Sequence, residues 1–142
     1  MPGNLHHARE SIRLALSPQA LPTVAFVSTI EDAVRDADLV IDCIPDELES
    51  KLEILWLLDR MAPPRTVIAT PTTNLSIADL AACTNRAEKC LAIAASADNL
   101  ASGTASEILL RIAPATSEKS AALVSDFFRA LGYHPIIERS AC

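Results

Sequence analysis

The chain has 142 residues, 50% hydrophobic and 21% charged, which is enough apolar side chain for one folded domain and excludes a disordered chain. Twelve Lys and Arg against eighteen Asp and Glu give a net charge of −6. Without a basic run to meet phosphates, nucleic acid is not expected as a partner. No uncharged stretch approaches the ~20 apolar residues of a membrane-spanning helix, and the opening MPGNLHHARE has no apolar signal core. Cys43, Cys83, Cys90 and Cys142 form no C-x-x-C pair. Three of them sit in or beside apolar segments and read as buried free thiols of a reducing compartment, the cytosol or an organelle matrix.

Residues 4–16 (NLHHARESIRLAL) read as a helix that Pro18 and Pro22 end. VAFV (24–27) reads as a short strand, and Ser28 or Thr29 caps the short helix TIEDAVRDA. LVIDCI (39–44) is the nearly continuous apolar run of a strand buried on both faces, stopped by Pro45. In DELESKLEILWLLDRM (46–61), Leu48, Leu52, Leu55 and either Trp56 or Leu58 line one helix face, with acids at its start. TVIAT (66–70) is the next strand, and Ser76 with Asp79 opens the short helix SIADLAAC. CLAIAAS (90–96) and EILLRI (107–112) are strand-like. Thr116 or Ser117 caps SEKSAALVSDFFRAL, Gly132 stands at its C′ position, and HPIIE (134–138) is the last strand. There is no internal repeat, low-complexity tract or linker. Strands alternating with helices at these spacings specify an α/β fold: a doubly wound, largely parallel sheet with helices on both faces. Trp56, Phe127 and Phe128 are expected in the helix–sheet packing.

STIEDAVRDADLVIDCIPDELESKLEIL (28–55) and APPRTVIATPTTNLSIADLAACTNRAEKCLAI (62–93) closely resemble the NAD-binding domain of the 3-hydroxyacyl-CoA dehydrogenases. There "ADLVIEAVPE" precedes a "LELKxElF" helix, then come "ATNTSSLSI", "GMHFFNPV" and "LVEVV", and a helix ending "ALGKxPV"; LGYHPIIE (131–138) fits that ending. The resemblance implies an incomplete Rossmann-like fold, NAD as cofactor and acyl-CoA as substrate in fatty-acid β-oxidation. It also implies a single partial domain over 1–142. Family members open with a G-x-G-x-x-G turn, and no glycine stands between Gly3 and Gly103. The helical domain that follows "D-x-P-G-F" in the family is expected to be missing after ERSAC (138–142). LVIDCI would then present an open edge, so self-association is expected.

The site residues follow from the same register. Asp46 falls at a family Glu near the nicotinamide ribose, and reads equally well as an acid stabilised by the helix dipole. Lys51 falls at a family Lys that reaches the cofactor; otherwise it is a solvated residue among Glu47, Glu49 and Glu53. Thr73 falls at a serine that touches substrate and nicotinamide, while Thr72, Thr73 and Asn74 also make a turn before Ser76. The family's catalytic histidine falls on Ala94, and no His, Tyr or Cys stands nearby in 92–103. Glu107 matches the partner carboxylate if one residue is inserted, and without an imidazole to orient it is structural or vestigial. Asp98 or Asn99 stands near a family asparagine. His134 aligns away from the chemistry. His6 and His7 lack metal-ligand spacing, so no metal is expected. Three functions follow: a dehydrogenase-family domain inactive by itself, a non-catalytic paralogue that binds or oligomerises, or a truncated product without independent function.

Overall fold

The computed structural model describes residues 10, 11, 13, 14, 19, 21–96, 99, 100 and 106–140. Five strands form one sheet in chain order: β1 (Leu39–Ile41), β2 (Val67–Pro71), β3 (Cys90–Ile93), β4 (Glu107–Ile112) and β5 (His134–Arg139). Among the described residues, α1 (Ile30–Val34) precedes β1, and α2 (Leu48–Met61), α3 (Ile77–Ala82) and α4 (Glu118–Ala130) connect strands. All neighbours are parallel except β3 and β4. Connection type accounts for that pattern. Helices α2, α3 and α4 supply the long crossovers that parallel pairs require. Strand β4 runs antiparallel to β3.

Burial sorts the strands. Every residue of β2 and β3 is buried, as expected of strands covered on both faces, whereas β1 is half-buried along its length. One apolar cluster joins Leu55 and Leu58 of α2 and Leu80 of α3 to Ile68 and Ala92. The other joins Val124 and Phe128 of α4 to Ala69, Ile93, Leu110 and Ile112. Thr29, Ser76 and Ser117 cap their helices by accepting from the backbone N–H three residues on. Thr116 instead ties the strands: its hydroxyl accepts from Ala113 N and donates to Cys90 O, each at 3.0 Å.

The last helix ends as the glycine requires. Gly132 has φ 93°, and Gly132 N and Tyr133 N donate back to Arg129 O and Phe128 O at 2.9 and 3.0 Å. This is a Schellman turn, and it delivers Tyr133 to the mouth of the sheet.

Several expectations are corrected. Residues 24–27 are irregular and lie outside the sheet, which ends at β1; apolar, β-branched content makes no strand without a ladder to join. Trp56 is 51% exposed, because Lys51, Leu55 and Leu58 take the inner face of α2 and leave the ring outside under the Arg60 guanidinium, 4.6 Å from its centroid. Phe127 is also exposed, set edge-on to the buried Phe128 at 5.2 Å. Of the described cysteines Cys90 is buried, whereas Cys43 lies past the end of β1 and Cys83 at the end of α3, both exposed. Glu10, Ser11, Arg13 and Leu14 are helical. The remainder of 4–16, His6, His7, Asp98 and Cys142 lie outside the described residues.

Candidate functional site

The carboxyl ends of β1, β2 and β3 and the start of β4 face the same way, and the candidate residues gather there. Asp46 sits in the turn between β1 and α2. Its Oδ1 accepts from Thr72 Oγ1 at 2.5 Å, and its Oδ2 accepts from Thr73 N at 2.9 Å and Thr73 Oγ1 at 3.2 Å. Thr72 is fully buried, and its backbone N–H donates to Ile93 O, which locks this turn to β3. Partial burial pushes the Asp46 carboxyl up, but the three hydrogen bonds and the charge of Lys51 outweigh it and hold the group below its ordinary value.

Lys51 is placed differently from a solvated helix residue. Its side chain is 0% exposed and its Nζ donates to Asp42 Oδ1 at 2.6 Å, an ion pair closed off from water. Asp42 Oδ1 also accepts from Ile44 N, and its Oδ2 has no partner among the described residues. Asp42 was not singled out from sequence. The signal was there in LVIDCI, where one acid interrupts an apolar run nine residues before a lone lysine.

A cleft of about 610 Å³ opens beside Asp46, within the size range of small-ligand pockets. Thr73, Ala94, Asn99, Glu107, Tyr133 and Ile136 are among its lining residues. Thr73, Ala94 and Glu107, far apart in sequence, therefore meet in one place, and Thr73 joins them to Asp46. Ala94 is fixed by its N–H to Leu109 O at 2.8 Å. Glu107 is the exposed first residue of β4. Tyr133 is the residue that sequence reasoning missed; proximity along 92–103 has no bearing on a side chain delivered from the end of α4.

A cofactor's nicotinamide end fits this geometry better than its pyrophosphate end does. Asp46 is a preorganised, half-exposed acceptor suited to a ribose hydroxyl, and Thr73 offers a hydroxyl at the cleft. Lys51, buried against Asp42, acts on that place through its charge. Among the described residues no glycine turn is available to bring backbone N–H groups against a pyrophosphate.

An α/β sheet with ligand-binding groups outside the carboxyl ends of its strands defines a nucleotide-binding domain of the Rossmann type. Residues 5–141 match the model of the 3-hydroxyacyl-CoA dehydrogenase NAD binding domain, and the chain belongs to that family. It is 38% identical over 66 residues to a probable 3-hydroxybutyryl-CoA dehydrogenase of Bacillus subtilis, covering 46% of this chain and 23% of that protein. It is 39% identical over 80 residues to an L-carnitine dehydrogenase of Burkholderia mallei, covering 56% of this chain and 25% of that protein. The crystal structure of (S)-3-hydroxybutyryl-CoA dehydrogenase PaaH1 from Ralstonia eutropha superposes with a TM-score of 0.72 at 26% identity, over 80% of this chain and 39% of that one. The chain thus spans less than half the length of each of these three relatives.

Proposed function

We propose that the chain is a partial NAD-binding domain supplying the nicotinamide side of a 3-hydroxyacyl-CoA dehydrogenase-type site, and that by itself it binds without turning over. The observation that carries this reading is the meeting of Thr73, Ala94 and Glu107 in one cleft, with Asp46 anchored on Thr73. Asp46 would accept from the nicotinamide ribose, and Thr73 would donate to the substrate oxygen. NAD, when bound, supplies the acceptor for the hydride leaving C3. Ala94 offers no base for the hydroxyl proton, and Glu107 meets no imidazole at position 94. The substrate class taken from the relatives is a 3-hydroxyacyl-CoA, with fatty-acid β-oxidation as the setting. Free thiols at Cys43, Cys83 and Cys90 suit the reducing cytosol or an organelle matrix.

The reading is tested by amide NMR titration with nicotinamide mononucleotide and with NAD. Shifts are expected at Thr72, Thr73 and Ala94, weakened by Asp46→Ala, with NAD bound no more tightly than the mononucleotide. Shifts confined to other surfaces, or binding untouched by Asp46→Ala, would overturn it. A non-catalytic binding module is the second reading, favoured by Ala94; acetoacetyl-CoA binding with no response to nicotinamide mononucleotide or NAD supports it over the first.

A further inference from the structure

Among the described residues, two buried side-chain atoms have no hydrogen-bond partner, Asp42 Oδ2 and Thr70 Oγ1. Strand register brings them together. Val40 pairs with Ile68 and Ile41 with Ala69, so the next residues along the two chains are Asp42 and Thr70. Val40 and Ile68 pack into the apolar cluster under α2, and side chains alternate, so Asp42 and Thr70 point to that same face. Two contacts agree with this: Asp42 meets Lys51 of α2, and Thr70 stands opposite Ala92, a member of the cluster. Neither Asp42 nor Thr70 lines the cleft at Ala94.

The three groups fit one small molecule. Asp42 Oδ1 already accepts from Lys51 Nζ at 2.6 Å and from Ile44 N at 3.2 Å, which leaves Oδ2 as a charged acceptor. Lys51 carries three N–H donors and spends one on that bond. Thr70, 1% exposed, offers a hydroxyl that can both donate and accept. Neighbouring strands lie about 4.8 Å apart, and oxygens carried at that separation are bridged by one water through two ordinary hydrogen bonds.

Burial selects water over other ligands. Both unpartnered atoms are sealed and Lys51 is fully buried, so no larger group reaches them. A metal cation would meet the Lys51 ammonium, and the described residues contain no cluster of three or more His, Cys, Asp or Glu. Internal waters characteristically make about three hydrogen bonds to buried polar groups that lack other partners. Asp42 also lines a recess of about 170 Å³ between α1, β1 and α2, otherwise apolar but for Cys43, which brings solvent space up to the carboxylate.

We propose that Asp42 Oδ2, Thr70 Oγ1 and Lys51 Nζ hold one internal water, and that through it Thr70 is a positioning residue for the turn that carries Asp46. Asp42 accepts from Ile44 at the start of that turn, and Lys51 stands in the first turn of α2 at its end. The water ties both ends to β2, two residues before the Thr72 and Thr73 that hold Asp46. None of this depends on what the cleft binds.

The test therefore needs no ligand. Crystal structures of the native chain and of Thr70→Ser are expected to show one ordered water within hydrogen-bond distance of all three atoms, and Thr70→Val to lack it. Valine matches threonine in shape and suits a strand, so the variant removes only the hydroxyl. Amide hydrogen exchange reads the positioning. In Thr70→Val the N–H groups of Ile44 and Thr73, which donate to Asp42 and Asp46, should exchange about tenfold faster. Leu91 of β3 should be unchanged, and Thr70→Ser should keep the native rates. A direct Thr70–Asp42 hydrogen bond without a water, a water that persists in Thr70→Val, unchanged exchange at Ile44 and Thr73, or a rise that includes Leu91 would each overturn the proposal.

Discussion

Asp46 shows how three neighbours can outweigh a desolvation cost. Its carboxyl lies below the ordinary value, so its stabilising contribution is present above the unfolded carboxylate pKa and is lost as pH falls through the lower folded value. Urea midpoints measured against pH should therefore fall below about pH 4 in the native chain, and Asp46→Asn should flatten that part of the profile. An unchanged profile would remove the hydrogen bonds from Thr72 and Thr73 as its cause. The Asp42–Lys51 pair differs in kind, with both side chains almost wholly buried. Lys51→Met strands a buried carboxylate and should cost about 3–5 kcal/mol, whereas the double variant Asp42→Leu/Lys51→Met should recover most of it. Chemical denaturation of the two variants reads both numbers, and equal loss in the single and double variants would contradict the pairing. At Gly132 an added Cβ meets nothing within 4 Å, so Gly132→Ala carries backbone strain alone. The expected cost is about 1–2 kcal/mol by the same denaturation assay.

At the scale of elements, periodicity, capping and five of the six expected strands were legible, and the exception was VAFV. Thr29, Ser76, Ser117 and Gly132 act as their residue types predict, because caps and C′ turns are decided within four or five residues. VAFV carries strand composition yet stays out of the sheet, since pairing depends on a neighbour that composition cannot report. Trp56 and Leu58 could not be told apart on a wide apolar stripe; the inward turn of Lys51, drawn by Asp42, resolves the choice in favour of Leu58. The cleft was half legible. Thr73, Ala94 and Glu107 could be named from ordered strings, whereas Asp42 and Tyr133 enter through tertiary contacts. Strand β1 is hydrogen-bonded to β2 and forms one edge of the sheet of described residues. An unpaired edge templates association, so sedimentation should show mass rising with concentration. A sharp monomer at every concentration, with cooperative unfolding, would show that the edge is protected.

At the scale of the whole molecule, turnover requires a hydride acceptor held in place and a base near the reacting hydroxyl. The cleft provides Thr73 and Glu107 but leaves the side of Ala94 without a proton-accepting group. General acid–base catalysis contributes typically about 10²–10⁴-fold, so its loss alone would leave a slow reaction. The cofactor's pyrophosphate has a separate requirement, a cluster of backbone N–H groups that approach closely where glycines permit. The chain has three glycines, and the one described residue among them, Gly132, is spent on the end of α4. The native chain is therefore expected to consume no NADH with acetoacetyl-CoA. Ala94→His restores a base opposite Glu107 and should not rescue the reaction, because the two requirements are independent and the second stays unmet. Both proteins are compared by NADH absorbance under identical conditions. Turnover by the native chain would mean that another group, with Tyr133 of the cleft lining and His134 across from Glu107 as candidates, moves the proton. Turnover by Ala94→His alone would mean that Asp46 and Thr73 hold the nicotinamide end firmly enough to work without a pyrophosphate cradle.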